Sequence, residues 1–363
     1  MRNQMHRVVA PILLSGVMAL LAAACGASST PAPASSVAPA STAPASSAAP
    51  ASAAPASSPA PASSPAPATL KVALVAPSAV NDLSWTESMV DALNSLKTQD
   101  NLQIAISDNQ YVVATSANVI QNYASQGYDL IIAHGSQYGA TIQQLAPKFP
   151  NGSFAWGTAG STYNLPNVFA YEANANEGGY AQGAMAALLS KSKVLGVIGP
   201  IEVGDDQLYV DGFCAGAKSV TASISCIPVY TGSYSDVSLY ATAAKTFVSN
   251  KADVLSGTTQ ASVGAIGIAR SDNLPWFGTD WSQVSLAPSN VVSSQIYNWG
   301  PILEQIFTEI RAGKLGGATY ALTLGNGGLT IQFNSGFNLP ANVKSKGDSL
   351  IKGIIDGTIN VPQ

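Results

Sequence analysis

The sequence predicts an α/β protein of two consecutive lobes, and three observations carry that expectation. Beyond residue 69, short apolar runs alternate with helical patterns; the alternation starts afresh near residue 194; and the stretches just after the apolar runs are polar or aromatic. Strands alternating with helices build parallel sheets that are covered on both faces. Two such units in series imply two lobes with a cleft between them, and ligands of these sheets bind beyond the carboxyl ends of the strands.

The strands of the first unit are LKVALVA at 70–76, LQIAIS at 102–107, DLIIAHG at 129–135 and SFAWG at 153–157. Helices are expected at 86–97, where Met89, Leu93 and Leu96 share one face, and at 115–126. The second unit reads VLGVIG at 194–199, a helix near 205–220, SISCIPV at 223–229, a helix at 237–249, ADVLSG at 252–257 and PWFGTD at 275–280. A further helix is expected at 301–312. Reading down the strand ends gives Ser78 to Trp85, His134 to Tyr138, Thr258 with Thr259, and Asp280. Those residue types suit a ligand cleft.

The first 68 of the 363 residues follow another pattern. Arg2 and Arg7 precede an apolar run from Val8 to Ala24, the arrangement of an export signal over 1–24. The run ends Leu21-Ala22-Ala23-Ala24-Cys25-Gly26, which resembles a bacterial lipoprotein signal and implies lipidation of Cys25. An ordinary Ala-x-Ala cleavage site or an uncleaved anchor is the alternative. Residues 26–68 then hold 17 Ala, 12 Ser and 10 Pro and no charge. Proline at that density blocks helix and ladder, and alanine and serine offer little to bury. Residues 25–68 are therefore expected to be an extended tether between a membrane and the domain.

Composition excludes several functions. The only histidines are His6, in the export signal, and His134, so no multi-histidine metal site can form. Three cysteines, Cys25, Cys214 and Cys226, are too few for a zinc ribbon. Without Arg2 and Arg7, fourteen basic residues face twenty acidic ones, with no basic cluster to follow a phosphate backbone. A nucleic-acid polymer is not an expected partner, and neither a cofactor nor a metal is expected.

The ordered set KVALVAPSAVNDLSW, DLIIAHGSQYG, NEGGYAQGAMAALLSKSKVLGVIGP, TGSYSD and YNWGP resembles the basic-membrane-protein family, over most of 69–335. These are substrate-binding lipoproteins of ABC importers, similar to purine nucleoside receptors. The resemblance implies a type I periplasmic-binding-protein fold, with two Rossmann-like lobes, three hinge crossings and closure on the ligand. It places 69–170 plus 291–315 in lobe 1 and 171–290 plus 316–363 in lobe 2. It also implies a monomer without enzymatic activity, working with an ABC permease at the extracytoplasmic face of a bacterial membrane. A lipid-anchored sensing module that feeds a membrane signalling receptor is the alternative. A nucleoside hydrolase would need clustered acids or a metal, and Asp82, Asp236 and Asp280 fall on different loops.

The candidate ligand residues each carry a second reading. Asn81, Asp82 and Trp85 could open and staple a helix, or could hydrogen-bond and stack on a ligand. His134 ends a strand, which fits a satisfied structural group as well as a ligand contact; Tyr138 follows on the next turn. Tyr234 matches the aromatic position that stacks on the base in nucleoside receptors, while Asp236 could equally be a helix N-cap. Thr258 ends another strand. Asp280 matches the family's acidic residue for the ribose hydroxyls, and a carboxylate can accept from two hydroxyls at once. Around Trp299 some nucleoside receptors carry a lysine where this chain has neutral aromatic and amide groups, so a nucleobase, a modified nucleoside or another polar solute stays open. Cys214 and Cys226, 12 residues apart, are expected to pair in an exported chain, with two buried thiols as the alternative.

Overall fold

A computed structural model describes residues 67–362. The export signal, Cys25 and nearly all of the tether lie outside the described residues. Among the described residues no helix is long and apolar enough to cross a membrane.

In the first unit the chain forms β1 (Leu70–Val75), α1 (Trp85–Leu96), β2 (Leu102–Ser107), α2 (Val113–Ser125), β3 (Leu130–His134), α3 (Gly139–Leu145), β4 (Ser153–Gly157) and β5 (Val168–Ala173). The second unit follows with α4 (Asn176–Leu189), β6 (Val194–Gly199), α5 (Gly204–Val220), β7 (Ser225–Tyr230), α6 (Val237–Ser249), β8 (Val254–Gly257), α7 (Ser262–Ser271), β9 (Trp276–Asp280) and β10 (Val291–Tyr297). The remainder is α8 (Gly300–Arg311), β11 (Thr319–Leu322), β12 (Leu329–Phe333) and α9 (Ala341–Ile355).

Two six-stranded sheets result, ordered β11-β5-β4-β3-β1-β2 and β12-β10-β9-β8-β6-β7. The first is parallel throughout; in the second only β12 runs antiparallel, along β10. β3 and β4 are buried at every position, as strands covered on both faces must be. β7 forms an edge of its sheet, the place where Pro228, which has no N–H to give, is tolerated. Met89, Leu93 and Leu96 of α1 are buried, as their spacing predicts, and α1 packs against α8.

The division between lobes differs from the expectation. β10 hydrogen-bonds to β9 in the second sheet, so residues 291–297 do not belong with the first lobe. β11 joins β5 in the first sheet, so 319–322 do not belong with the second. Composition does not announce which sheet a strand extends; only the pairing decides. The chain therefore crosses between lobes after β5, after β10 and after β11. These three crossings lie side by side and are tied together: Asn174 N donates to Leu322 O (2.9 Å), Asn298 N to Gly328 O (2.8 Å), and Leu324 N to the Glu177 carboxylate (2.7 Å).

α4 and α5 meet almost backbone to backbone. A Cβ added at Gly179 or Gly183 of α4 would run into the main chain of Tyr209 or Phe213, and one at Gly212 or Gly216 of α5 into that of Asn176 or Tyr180. A spacing of four positions puts both glycines of each pair on one face of their helix. Cys214 on α5 and Cys226 on β7 are joined by a disulfide, with their Cα atoms 5.5 Å apart.

Candidate ligand cleft

The carboxyl ends of both sheets face a narrow space between the lobes, the place where ligands of such sheets bind. Pro77, Trp85, Tyr111, Ser136, Gln137 and Thr158 line it from the first lobe; Asp205, Asp206, Tyr234, Thr259, Gln260 and Asp280 line it from the second. Of the candidate ligand residues named from sequence, Trp85, Tyr234 and Asp280 meet here, joined by the strand-end residues Ser136, Gln137 and Thr259.

Trp85 opens α1 and is held rigidly. Its ring stacks on His134, with centroids 4.2 Å apart and planes 7° from parallel, and its Nε1–H donates to His134 O at 3.1 Å. His134 returns the contact, since its Nε2 lies 3.1 Å from the Trp85 carbonyl. A carbonyl can only accept, so Nε2 carries the proton and Nδ1 accepts from the Tyr171 hydroxyl at 2.8 Å. Complete burial pushes the imidazole down to about 3, so it is neutral. Trp299 meets Trp85, His134 and Tyr171 edge-on at 5.2–5.3 Å and donates its Nε1–H to Ser88 Oγ at 2.8 Å. His134 and Trp299 are thus not cleft-lining residues; they form the buried aromatic wall that fixes Trp85.

Asp280 ends β9 with a φ of 68°, is 2% exposed, and accepts from Ser84 Oγ at 2.6 Å. That bond joins the two lobes. Thr279 Oγ1 also donates to it at 3.2 Å, and burial raises its carboxyl to about 6. Thr259, at the end of β8, has a φ of 81°, a left-handed conformation costly for a β-branched residue and of the kind that clusters at ligand sites. Its hydroxyl donates to Tyr240 Oη at 3.1 Å. Tyr234 approaches Tyr111 of the first lobe edge-on at 6.4 Å, a second contact across the cleft.

The other expected residues do different work. The Asp82 carboxylate accepts from Ser78 Oγ (2.6 Å), Ser84 N (2.9 Å), Glu87 N (3.1 Å) and Thr86 N (3.2 Å), which caps the start of α1. Asn81 and Asp82 border a neighbouring recess that shares Thr259 and Gln260 with the cleft. Asp236 is the N-cap of α6, its Oδ1 accepting from Ser238 N and Leu239 N, and it is exposed outside the cleft. Tyr138 is buried and donates to Gln110 O at 2.8 Å; its neighbours Ser136 and Gln137 line the cleft instead. Thr258 acts one step back, donating to Asp206 Oδ1 at 3.0 Å.

Sequence reading missed Asp205 and Asp206, both buried in the first turn of α5. Acidic residues there are an ordinary answer to the helix dipole, which concealed them. The available signal was position: they follow β6, the first strand of the second lobe, as Trp85 follows β1 of the first. Burial, then the charge of Asp280, raises Asp205 to about 8; burial, then Asp205, pushes Asp206 well up. Among the described residues no group of histidine, cysteine and acidic side chains is placed to hold a metal ion.

Two lobes built on mostly parallel sheets, crossed three times and meeting over a polar cleft, make up the type I periplasmic-binding-protein fold. A solved ABC transporter solute-binding protein from Aeropyrum pernix K1 shares this fold, with a TM-score of 0.70 at 19% identity over 81% of this chain and 94% of that one. The chain belongs to the Bmp family, the PnrA-like substrate-binding proteins of ABC transporters, which matches residues 69–363. Its relatives include a purine-binding protein of Brucella abortus (strain 2308), 28% identical over 239 residues, 64% of this chain and 66% of that protein, just under two thirds of its length. The ABC transporter nucleoside-binding protein BmpA of Lactococcus lactis subsp. cremoris (strain MG1363) is 27% identical over 316 residues, 81% of this chain and 89% of that one.

Proposed function

We propose that this domain is the extracytoplasmic receptor of an ABC importer, that it captures a purine nucleoside or a related small polar solute, and that a lipid on Cys25 tethers it to the membrane. One observation carries the reading: Trp85 from the first lobe and Tyr234 and Asp280 from the second line the same cleft. Indole and phenol rings suit the faces of a purine, and a buried carboxylate suits paired ribose hydroxyls. Asp280 already accepts from the Ser84 and Thr279 hydroxyls, and a ribose would take over or share the Ser84 bond. The names of the two relatives point the same way. Because the contacts come from both lobes, binding favours the closed form, and a permease that recognises closure collects only loaded receptor.

Mass spectrometry of small molecules released from the purified, denatured protein tests the ligand, backed by calorimetric titration with adenosine, inosine and guanosine. A nucleoside recovered unaltered and in stoichiometric amount is expected. Failure of all three to bind, with no nucleoside of any kind among the released molecules, would remove the nucleoside reading. For the tether, Cys25→Ser should release the protein from the membrane fraction, because stable anchoring by acyl chains depends on that thiol. A mutant with its signal cleaved that stays in the membrane would show that lipidation is not the anchor.

A further inference from the structure

Three carboxylates share the cleft, and nothing basic answers them. Asp205, Asp206 and Asp280 are 3%, 6% and 2% exposed. No lysine, arginine or histidine lines the cleft among the described residues, and none of the ion pairs there includes these three aspartates. Thr258 serves Asp206, and Ser84 and Thr279 serve Asp280. For Asp205 the groups nearest to that role are the Thr158 hydroxyl and its own backbone N–H. The Thr158 hydroxyl comes toward it from the opposite lobe but is buried without a hydrogen bond of normal geometry.

An unpaired carboxylate taken out of water costs several kcal/mol, and like charges in one cavity add to that cost. The amino end of α5 offsets only part of it, since a helix terminus is worth about half a charge and two aspartates occupy this one. The carboxylates do not converge as metal ligands. An organic cation set against the second-lobe wall formed by Asp205, Asp206 and Asp280 would answer their charge.

We infer that the cleft selects a positively charged ligand: a nucleoside, or a hydroxylated solute of similar shape, that carries a cationic group on its base or sugar, in preference to the neutral parent and to anionic nucleotides. This rests on the nucleoside reading of the cleft and adds a charge requirement to it.

The test is calorimetric titration of the unaltered protein at pH 7 with five probes. Adenosine is the neutral reference. 1-Methyladenosine carries its charge on the base and 5′-amino-5′-deoxyadenosine on the sugar; N6-methyladenosine controls for the methyl group, and adenosine 5′-monophosphate is the anion. At least one cationic probe should bind on the order of tenfold or more tightly than adenosine, while the neutral and anionic probes gain nothing. Asp205→Asn should bring the ratio of cation to adenosine down to about one. Cations that bind no better than adenosine, or a ratio untouched by Asp205→Asn, would overturn the charge requirement and leave the nucleoside reading standing. If none of the five binds, the nucleoside reading fails and this inference with it. Should Asp205→Asn not fold, Asp206→Asn is read in the same way, and the comparison on the unaltered protein decides without either variant.

Discussion

At the scale of single residues, Asp280 and Trp85 ask for opposite experimental treatment. Asp280 holds a left-handed conformation and bonds to Ser84 across the lobes, so its side chain is committed to the cleft and to little else. Asp280→Ala should cost about 2–4 kcal/mol of nucleoside affinity, roughly 30- to 1,000-fold, by leaving ribose hydroxyls unpaired in a desolvated site. Adenine should be nearly unaffected; a titration in which adenine and adenosine weaken equally would show that Asp280 does not hold the ribose. Trp85 is also a structural member, stacked on His134 and bonded to its carbonyl. Trp85→Ala therefore mixes lost stacking on ligand with a folding cost of about 3–5 kcal/mol, and Trp85→Phe is the cleaner probe. Trp85, Tyr234 and Asp280 were legible in the sequence because strand ends in an α/β protein face the cleft. Asp82 and Asp236 shared that position and proved to be caps. A carboxylate beside a helix start looks the same whether it serves the backbone or a ligand, and Asp205 with Asp206 shows the converse error.

At the scale of elements, periodicity located most helices and strands within one or two residues, and α6 was read at Val237–Ser249 without adjustment. β5, β10 and β12 each follow a strand with no helix between, so the alternation that reveals the eight expected strands is missing there, and β11 escapes as well. The α4–α5 contact was written in the sequence as glycines four apart in GGYAQGA and GFCAGA, but spacing alone does not say which surface they bring close. Gly183→Ala should destabilise the protein by about 1–3 kcal/mol, because its Cβ would overlap the Phe213 main chain and only separating the helices relieves it. Gly267 in α7 is the control: a Cβ there meets nothing within 4 Å, so Gly267→Ala should stabilise by about 0.5–1 kcal/mol through helix propensity. Thermal unfolding of both variants checks the pair. Equal effects would mean that propensity, not helix approach, governs these glycines.

At the scale of the whole molecule, the cleft couples lobe closure to protons. With the lobes together, burial is the first cause that raises Asp280 to about 6 and Asp205 to about 8 and pushes Asp206 well up. The facing charges are these aspartates on one another, Glu172 on Asp205 from the end of the first sheet, and Asp82 on Asp280 from the start of α1. An aspartate in water ionises near 3.8. Between that value and about 8 the closed form holds protons that the open or unfolded form has released. The state that binds more protons is favoured by acid, so raising the pH weakens the unliganded closed form. The hinge crossings after β5, β10 and β11 give the lobes a way to part, and the closing contacts Ser84–Asp280 and Tyr111–Tyr234 are few. Small-angle scattering of unliganded protein should show the radius of gyration growing as pH rises from about 5 to about 8, with the melting temperature falling over the same range. Asp205→Asn removes one of the groups responsible and should flatten both curves. A radius that ignores pH while the melting temperature still falls would place the protons in unfolding alone and leave the hinge indifferent to them; curves that are both flat would mean that these carboxylates keep ordinary acidity, with water reaching them between the lobes.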